Sequence, residues 1–342
     1  MSGNYGRSGC NGAGAETPSF RDSTGGILSL FPSCIVPYLE LTRVHKPAGY
    51  WAFYLPHLFG TLFAAVITSP RPNAIFAASG YLLPGTFLLR GAACTWNDVC
   101  DRDYDRQVAR CRNRPIARGA VSRAQGLVFM AVQTAVGVVL FLLPLPGACL
   151  VPAGMLAGSQ MIYPLCKRFT YYPQVWLGFS FGFGLAVGSA SLGVDLVEMA
   201  VRSLWTTTNN RRTLVSAICL YMAIALNTLI YDTIYGHQDL KDDPRAGVKS
   251  IAVAWRRRTK PNCLLLIIFE TGLLYLTGSI SGLGTGFHIL AVGGTGLVMV
   301  ALVYRVDLES PKSCMQCFNC MITITGMTIS AGLLSSYAEL EL

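Results

Sequence analysis

Apolar stretches of about twenty residues recur along this chain, separated by short polar segments. A helix rises 1.5 Å per residue, so runs of that length match the hydrocarbon thickness of a bilayer. We read about nine, at residues 47–68, 74–96, 123–143, 147–166, 174–194, 213–232, 261–281, 285–304 and 315–336. The expected fold is therefore all-α: a polytopic membrane protein with about nine transmembrane helices. Several runs contain Gly and Pro, which spanning helices tolerate when neighbours satisfy the freed carbonyls. Small residues such as Gly178-x-x-x-Gly182 would let two helices approach closely. Residues 1–35 are rich in Gly, Ser and Asn without a period, and are expected to be a disordered tail ahead of one domain, 36–342. Within that junction, residues 27–41 are predicted to form an interfacial helix leading to the first span.

The polar positions are as patterned as the apolar ones. The second run closes on Asn97-Asp98-Val99-Cys100-Asp101-Arg102-Asp103-Tyr104-Asp105. If the helix continues, Asn97, Asp101 and Asp105 sit at i, i+4 and i+8 on one face. The sixth run closes on a second acidic cluster, Asp232, Asp239, Asp242 and Asp243. At 100° per residue, Asp232, Asp239 and Asp243 share a narrow arc. Like charges stacked on one face repel, so a cation is expected between them. Hard oxygen ligands that leave room for water and phosphate suit Mg²⁺. The candidate metal ligands are thus Asn97, Asp101, Asp105, Asp232, Asp239 and Asp243.

Charge then orients the chain. With the N-terminus inside, the second, fourth and sixth runs all end inside, so both acidic clusters and Lys167-Arg168 converge on one face. Of the 27 Lys and Arg, Arg71, Arg202, Arg211 and Arg212 fall on the opposite side and Arg90 lies within a span. The remainder lie with the acidic clusters, which makes that face cytosolic by the positive-inside rule. The net charge of +9 is accounted for in this way, and no nucleic-acid partner is implied. Only 13% of residues are charged and 52% are hydrophobic, a composition far from that of a soluble domain. Twelve Cys lie mostly in apolar runs; Cys314-x-x-Cys317-x-x-Cys320 lacks a second ligand cluster or nearby His, so neither zinc nor a disulfide framework is expected.

Each acidic motif is followed by a basic loop, Arg112-Asn113-Arg114-Pro115-Ile116-Ala117-Arg118 and Pro244-Arg245-Ala246-Gly247-Val248-Lys249-Ser250. Acid then base, twice, suits a metal-bridged polyphosphate, with Arg and Lys neutralising the phosphate oxygens that the metal leaves. Arg118, Lys167 and Lys249 are the expected contacts. Tyr163 lies one turn before Lys167; its ring could stabilise a carbocation or belong to an interfacial aromatic belt. Arg90 lies seven residues before Asn97, either acting in the site or pairing with a carboxylate that orients it. Arg43, at the mouth of the first span, could hold an acidic substrate or anchor the helix. Asn227 reads as an interhelical hydrogen bond. Of the four His, only His237, beside the second acidic motif, is a candidate for the site.

NDVCDRDYD and YDTIYGHQDLKDD resemble the two Asp-rich motifs of the UbiA-type membrane prenyltransferase family. YPLCK matches its Tyr-x-x-x-Lys element, RNRPIARG and GVKSIAV the segments after its acidic motifs, and RVHKPAGYW the start of its first span. The likeness covers about residues 40–335 in order. It implies nine helices around a central cavity, with the Asp motifs facing each other under a cap of cytosolic loops. It also implies Mg²⁺-dependent transfer of a polyprenyl group from its diphosphate to an aromatic ring, with Asp101, Asp105, Asp239, Asp243 and Tyr163 as catalytic residues. HKPAGYWAFYLPHLFG is most similar to fungal enzymes that farnesylate aromatic polyketides on meroterpenoid pathways. Ubiquinone-pathway 4-hydroxybenzoate polyprenyltransferases share the same core; the acid-containing tail departs from their mitochondrial members, and an endoplasmic-reticulum or other endomembrane location is expected. A cation transporter would need acids at mid-span or broken helices in repeated halves, whereas these acids lie at span ends. The partners implied are a polyprenyl diphosphate, an aromatic acceptor and the bilayer, with no obligate protein partner.

Overall fold

The computed structural model describes residues 26–204 and 211–341, and every regular element among them is helical. After a 3₁₀ turn at Gly26–Leu30 come α1 (Val36–Leu41), α2 (Pro47–Thr68), α3 (Pro72–Asp105) and α4 (Arg123–Gly137). Next are α5 (Leu150–Phe169), α6 (Pro173–Ser191), α7 (Leu196–Ser203) and α8 (Arg211–Gly236). Two short helices follow, α9 (Asp243–Ala246) and α10 (Ile251–Trp255), then α11 (Thr259–Ser281), α12 (Thr285–Phe287), α13 (Thr295–Arg305) and α14 (Pro311–Glu341). Proline opens α2, α3 and α6, where its fixed φ suits the first turn and its missing N–H is not needed. Ser122 caps α4 in a reciprocal capping box with Gln125.

Of the tail expected at 1–35, residues 1–25 lie outside the described residues. Residues 26–35 form the 3₁₀ turn and a bend, and Leu28 is buried. The interfacial helix expected at 27–41 is divided in two: the 3₁₀ turn ends at Leu30, Pro32 lies in the bend, and α1 begins only at Val36. Seven helical runs are long and apolar enough to cross a membrane, at 47–68, 123–142, 147–169, 211–239, 251–281, 285–305 and 311–340. The bent pair α6–α7, turned through 101°, makes an eighth. The expectation of nine thus stands at seven or eight among the described residues. The difference is the span expected at 74–96, which is the first part of α3. That helix is 34 residues long, but Asn73, Ser79 and Arg90 make its first part less apolar than the other spans. This is a multi-pass membrane protein.

α2, α6, α8, α11 and α14 supply most of the largest core cluster, around Phe63, Leu185, Leu220, Leu274 and Leu333. Inside a bilayer lipid is as apolar as Leu, so close packing rather than water exclusion holds such helices together. The small residues act accordingly. A Cβ on Gly178 would come 2.4 Å from the Ala225 carbonyl oxygen, and one on Gly60 would come 2.0 Å from that of Leu185. α6 therefore lies backbone to backbone against both α8 and α2. The span 123–142, which begins with α4, is the most outward-facing, with only 11% of its apolar stretch buried; Val128, Val132 and Val139 face outward where lipid belongs. Asn227 on α8 donates to Glu270 on α11 at 2.7 Å, the interhelical hydrogen bond expected of it.

Candidate active site

α3 is long enough to carry its last three turns past the core, and there Asn97, Asp101 and Asp105 all face one cavity of about 710 Å³. Across it stand Asp232 on α8, then Asp239 and Asp243. The two acidic motifs therefore do line a single cavity. Between them the remaining wall at this end is basic: Arg43, Lys46, Arg110, Arg114, Lys167 and Lys249. Deeper in, it turns apolar and aromatic, with Trp51, Phe53, Leu177 and Phe181.

Three of the cavity carboxylates, Asp101, Asp105 and Asp239, are individually matched. Lys167 Nζ lies 2.7 Å from Asp101 Oδ2 and 3.4 Å from Asn97 Oδ1. Arg114 Nη1 donates to both oxygens of Asp105 at 2.9 and 3.0 Å. Arg110 forms a two-pronged pair with Asp239, at 2.8 Å and 2.5 Å, and donates a third bond to the Tyr235 hydroxyl. Asp232 forms no ion pair among the described residues. Trp96 Nε1 donates to the Met161 carbonyl at 2.9 Å and fixes α5 beside α3. Tyr163 and Lys167 consequently reach the cavity together, the ammonium 5.3 Å from the ring centre.

The loops close the charged end. Asp242 turns away from the cavity and accepts from the Ala109 amide at 3.0 Å, tying the second acidic motif to the loop after the first. Lys249 lines the cavity, with its ammonium near the Phe169 carbonyl and 5.6 Å from the Tyr171 ring. Burial and the neighbouring Asp239 push the Asp243 carboxyl up to about 7, against the opposing hydrogen bond from Ser250. Burial alone would lower the Arg114 guanidinium; the negative groups around it, Asp105 and Asp98 among them, reverse this and hold it firmly charged. Lys46 opens onto the cavity mouth, where the surrounding protein still withholds bulk water. That enclosure and the positive charges of Arg43, Arg110 and Arg114 bring its ammonium down to about 8.

Arg118 and His237 lie elsewhere than expected, and Asp103 and Arg90 have partners of their own. Arg118 does not line the cavity: its guanidinium pairs with Glu40 at 2.5 Å and donates to the Asn113 carbonyl. Gly119, in the left-handed region at φ 84°, turns the chain just beyond it. Asp103 points outward to Arg123 in an exposed pair of little energetic worth. His237 packs behind the site against Thr259 Oγ1 at 2.9 Å. Arg90 lines the cavity and pairs with no carboxylate among the described residues. It donates to the carbonyls of Thr42, Arg43 and Lys46 at 3.4, 3.0 and 2.9 Å, and so braces the loop between α1 and α2.

The same loop carries Arg43, a non-glycine residue at φ 58°, whose guanidinium lies 2.5 Å from Asp98. Asp98, fully buried, also accepts from Arg114 at 3.3 Å. Sequence reasoning passed over Asp98, Arg110, Arg114 and Lys46. A signal existed for Asp98: one residue from Asn97, it must point about 100° off the acidic face and into protein, where a charge needs partners.

The donor set fits Mg²⁺. Among the described residues no three His, Cys, Asp or Glu side chains gather at one point to hold an ion, so a closed structural site is absent from this set. Hard oxygens on two facing walls, balanced by Arg and Lys, match an ion that takes one or two carboxylates and keeps water and phosphate as its other ligands.

A family model, the UbiA prenyltransferase family, matches residues 54–329. The mitochondrial 4-hydroxybenzoate polyprenyltransferase of Saccharomyces cerevisiae is 38% identical over 92% of this chain and 80% of its own length. The prenyltransferase ascA of Acremonium egyptiacum is 34% identical over 84% of this chain and 82% of its own. The DMOA farnesyltransferase nvfB of Aspergillus novofumigatus is 34% identical over 80% and 82%. Among solved structures, a UbiA homologue from Aeropyrum pernix superimposes with a TM-score of 0.65 at 21% identity, covering 84% of this chain and 98% of that one. One from Archaeoglobus fulgidus, bound to GPP and Mg²⁺, gives 0.62 at 16% over 88% and 99%. With the family model spanning most of the chain and relatives above 30% identity along most of their length, this protein belongs to the UbiA prenyltransferase family.

Proposed function

We propose that this protein transfers a prenyl group, farnesyl in the first instance, from its diphosphate to a ring carbon of an aromatic polyketide-type acceptor in meroterpenoid synthesis. The observation that carries this reading is the cavity itself. One end holds two facing sets of carboxylates, balanced by Arg and Lys; the other is an apolar, aromatic chamber. A prenyl diphosphate has the same division, and nvfB is named as a farnesyltransferase.

Asn97, Asp101, Asp105, Asp232, Asp239 and Asp243 would hold Mg²⁺, which when bound supplies Lewis-acid neutralisation of the diphosphate. Lys167 and Lys249 bind phosphate oxygens, and Arg110 and Lys46 extend the same positive wall. As the donor C1–O bond breaks, the electron pair leaves with the diphosphate, whose growing charge these cations stabilise. The allylic cation left behind faces the Tyr163 ring and is kept from water by the apolar walls. A carbon ortho to a phenolic hydroxyl attacks it, forming the new C–C bond, and the ring then gives its proton to the released diphosphate.

The acidic end and its loops are taken to face the cytosol, on the positive-inside argument, in an endomembrane such as the endoplasmic reticulum. A second reading is supported by the yeast relative: 4-hydroxybenzoate as acceptor, within ubiquinone synthesis. One experiment addresses both. Membranes containing the protein are incubated with labelled C10, C15 and C20 diphosphates, a panel of phenolic acids and resorcylic-type polyketides, and Mg²⁺ or EDTA. The proposal expects C15 transfer to a polyketide-type phenol, lost in EDTA and restored by Mg²⁺. Transfer confined to 4-hydroxybenzoate would establish the second reading, and full turnover in chelator would sink the metal-dependent mechanism.

A further inference from the structure

The cavity wall contributed by α14 has no part in the diphosphate chemistry, yet it is not wholly apolar. Asn319 and Thr323 line the cavity from that helix at i and i+4, so they sit one above the other, about 6 Å apart along its axis. Six lining residues carry an aliphatic amide or hydroxyl. Asn97 accepts from Lys167, Gln160 donates to Ser180, Gln174 accepts from the Ile251 amide and Ser250 donates to Asp243. Asn319 and Thr323 make no such bond among the described residues; both line the cavity and both are exposed.

Their position is informative. Phe318, beside Asn319, packs on Tyr235 with ring centres 4.6 Å apart, and Tyr235 accepts the hydrogen bond from Arg110, which holds Asp239. Asn319 therefore stands next to the charged end, and Thr323 one turn farther along α14, in a helix apolar enough to span the membrane. An unbonded amide and hydroxyl inside a spanning helix are costly unless something polar meets them. A prenyl tail offers no donor or acceptor, and the diphosphate already has a cationic wall.

We propose that Asn319 and Thr323 form the acceptor-recognition pair, hydrogen-bonding the ring hydroxyl or carbonyl groups of a hydroxylated aromatic acceptor and so setting which ring carbon meets the allylic cation. This rests on the prenyl-transfer reading above. The amide can both donate and accept and the hydroxyl likewise, so the pair selects acceptors carrying two oxygens in reach of one turn of helix. A site built to bond such groups discriminates against analogues that lack them.

The test uses the full-length protein in membranes, with a hydroxylated aromatic acceptor that the wild type prenylates and its O-methyl ether. Asn319→Leu and Thr323→Val keep the volume and remove the bonding. Each should lower kcat/KM for the hydroxylated acceptor by roughly 2- to 13-fold, the worth of one neutral hydrogen bond, while the value for the ether and the KM for the donor hold. Thr323→Ser should retain the wild-type preference, and a change in the prenylated position should accompany the loss in either first variant. Equal losses for phenol and ether, or a shift in donor KM alone, would assign the pair to packing or to the tail and overturn the inference. Wild-type membranes that bind the donor yet prenylate no aromatic acceptor would overturn the prenyl-transfer reading and the pair with it, an outcome distinguishable because it appears before any substitution is made.

Discussion

Asp98 shows how a residue that never touches the cavity can govern it. One carboxylate oxygen, Oδ1, is shared by Arg43, from the loop before α2, and Arg114, from the loop after α3, and the other, Oδ2, has no hydrogen-bond partner among the described residues. Removing one member of a buried ion network leaves the others uncompensated, which costs about 3–5 kcal/mol. Asp98→Asn is therefore expected to lower the melting temperature of the detergent-solubilised protein and to weaken use of every acceptor alike. A selective gain for acidic acceptors would instead mean that Arg43, released from Asp98, is their ligand. Lys46 gives a pH signature. Its ammonium, held near 8 by enclosure and by Arg43, Arg110 and Arg114, is charged below that value and neutral above it. If donor binding draws on the charged form, the donor Kd should be flat to pH 7 and about tenfold weaker by pH 9. Lys46→Arg should remove that rise, because a guanidinium stays charged; an unchanged rise would place the titration elsewhere.

At the scale of elements, the legible part of the site was whatever a single helix repeats. Asn97, Asp101 and Asp105 share a face because of the 3.6-residue period, and Tyr163 and Lys167 for the same reason; all five line the cavity. Loops follow no period. The run from Arg110 to Arg118 reads as one basic cluster, and nothing local tells that Arg110 and Arg114 turn inward while Arg118 turns to Glu40. That sorting depends on where α1 lies and on the turn at Gly119. Asn319 and Thr323 were silent for another reason: their role depends on α14 meeting elements two hundred residues earlier. Close helix crossings were legible from small residues, and they carry a prediction. Gly178→Leu must separate α6 from α8, since even a methyl group would sit 2.4 Å from the Ala225 carbonyl oxygen. We expect a loss of about 1–3 kcal/mol or more, from overpacking, read as a shift in thermal unfolding, with Gly80→Ala on α3, where a Cβ meets open space, as the neutral control.

The whole molecule is asymmetric along its long axis. The cavity, both acidic motifs and their basic loops occupy one end, while the opposite end carries the α6–α7 bend of 101°. If that asymmetry follows the membrane normal, single Cys introduced at exposed positions 112 and 245 should label from the same side, and one at 202 from the other. Residue 340 should label from the side of residue 202, because three spans separate it from the second acidic motif. Residue 71, exposed between α2 and α3, decides whether α3 traverses the bilayer: if it does, 71 labels from the side opposite residue 112, and if it does not, from the same side. Labelling of 112 and 245 from opposite sides would separate the two acidic motifs and refute a single site.

Arg90 has a further consequence, which concerns what this scaffold can become. It grips the loop 42–46 solely through carbonyl oxygens, and a carbonyl is the same whatever side chain its residue bears. The support is blind to sequence. His45 and Lys46 at the cavity mouth can therefore be exchanged, in a laboratory or by descent, without dismantling the loop that presents them, whereas Arg43 is tied to the buried Asp98. Arg90 itself has no such latitude: Arg90→Leu would leave three carbonyls unanswered. The mouth thus combines a fixed frame with replaceable fittings, the arrangement by which one prenyl donor could be offered to a succession of different acceptors.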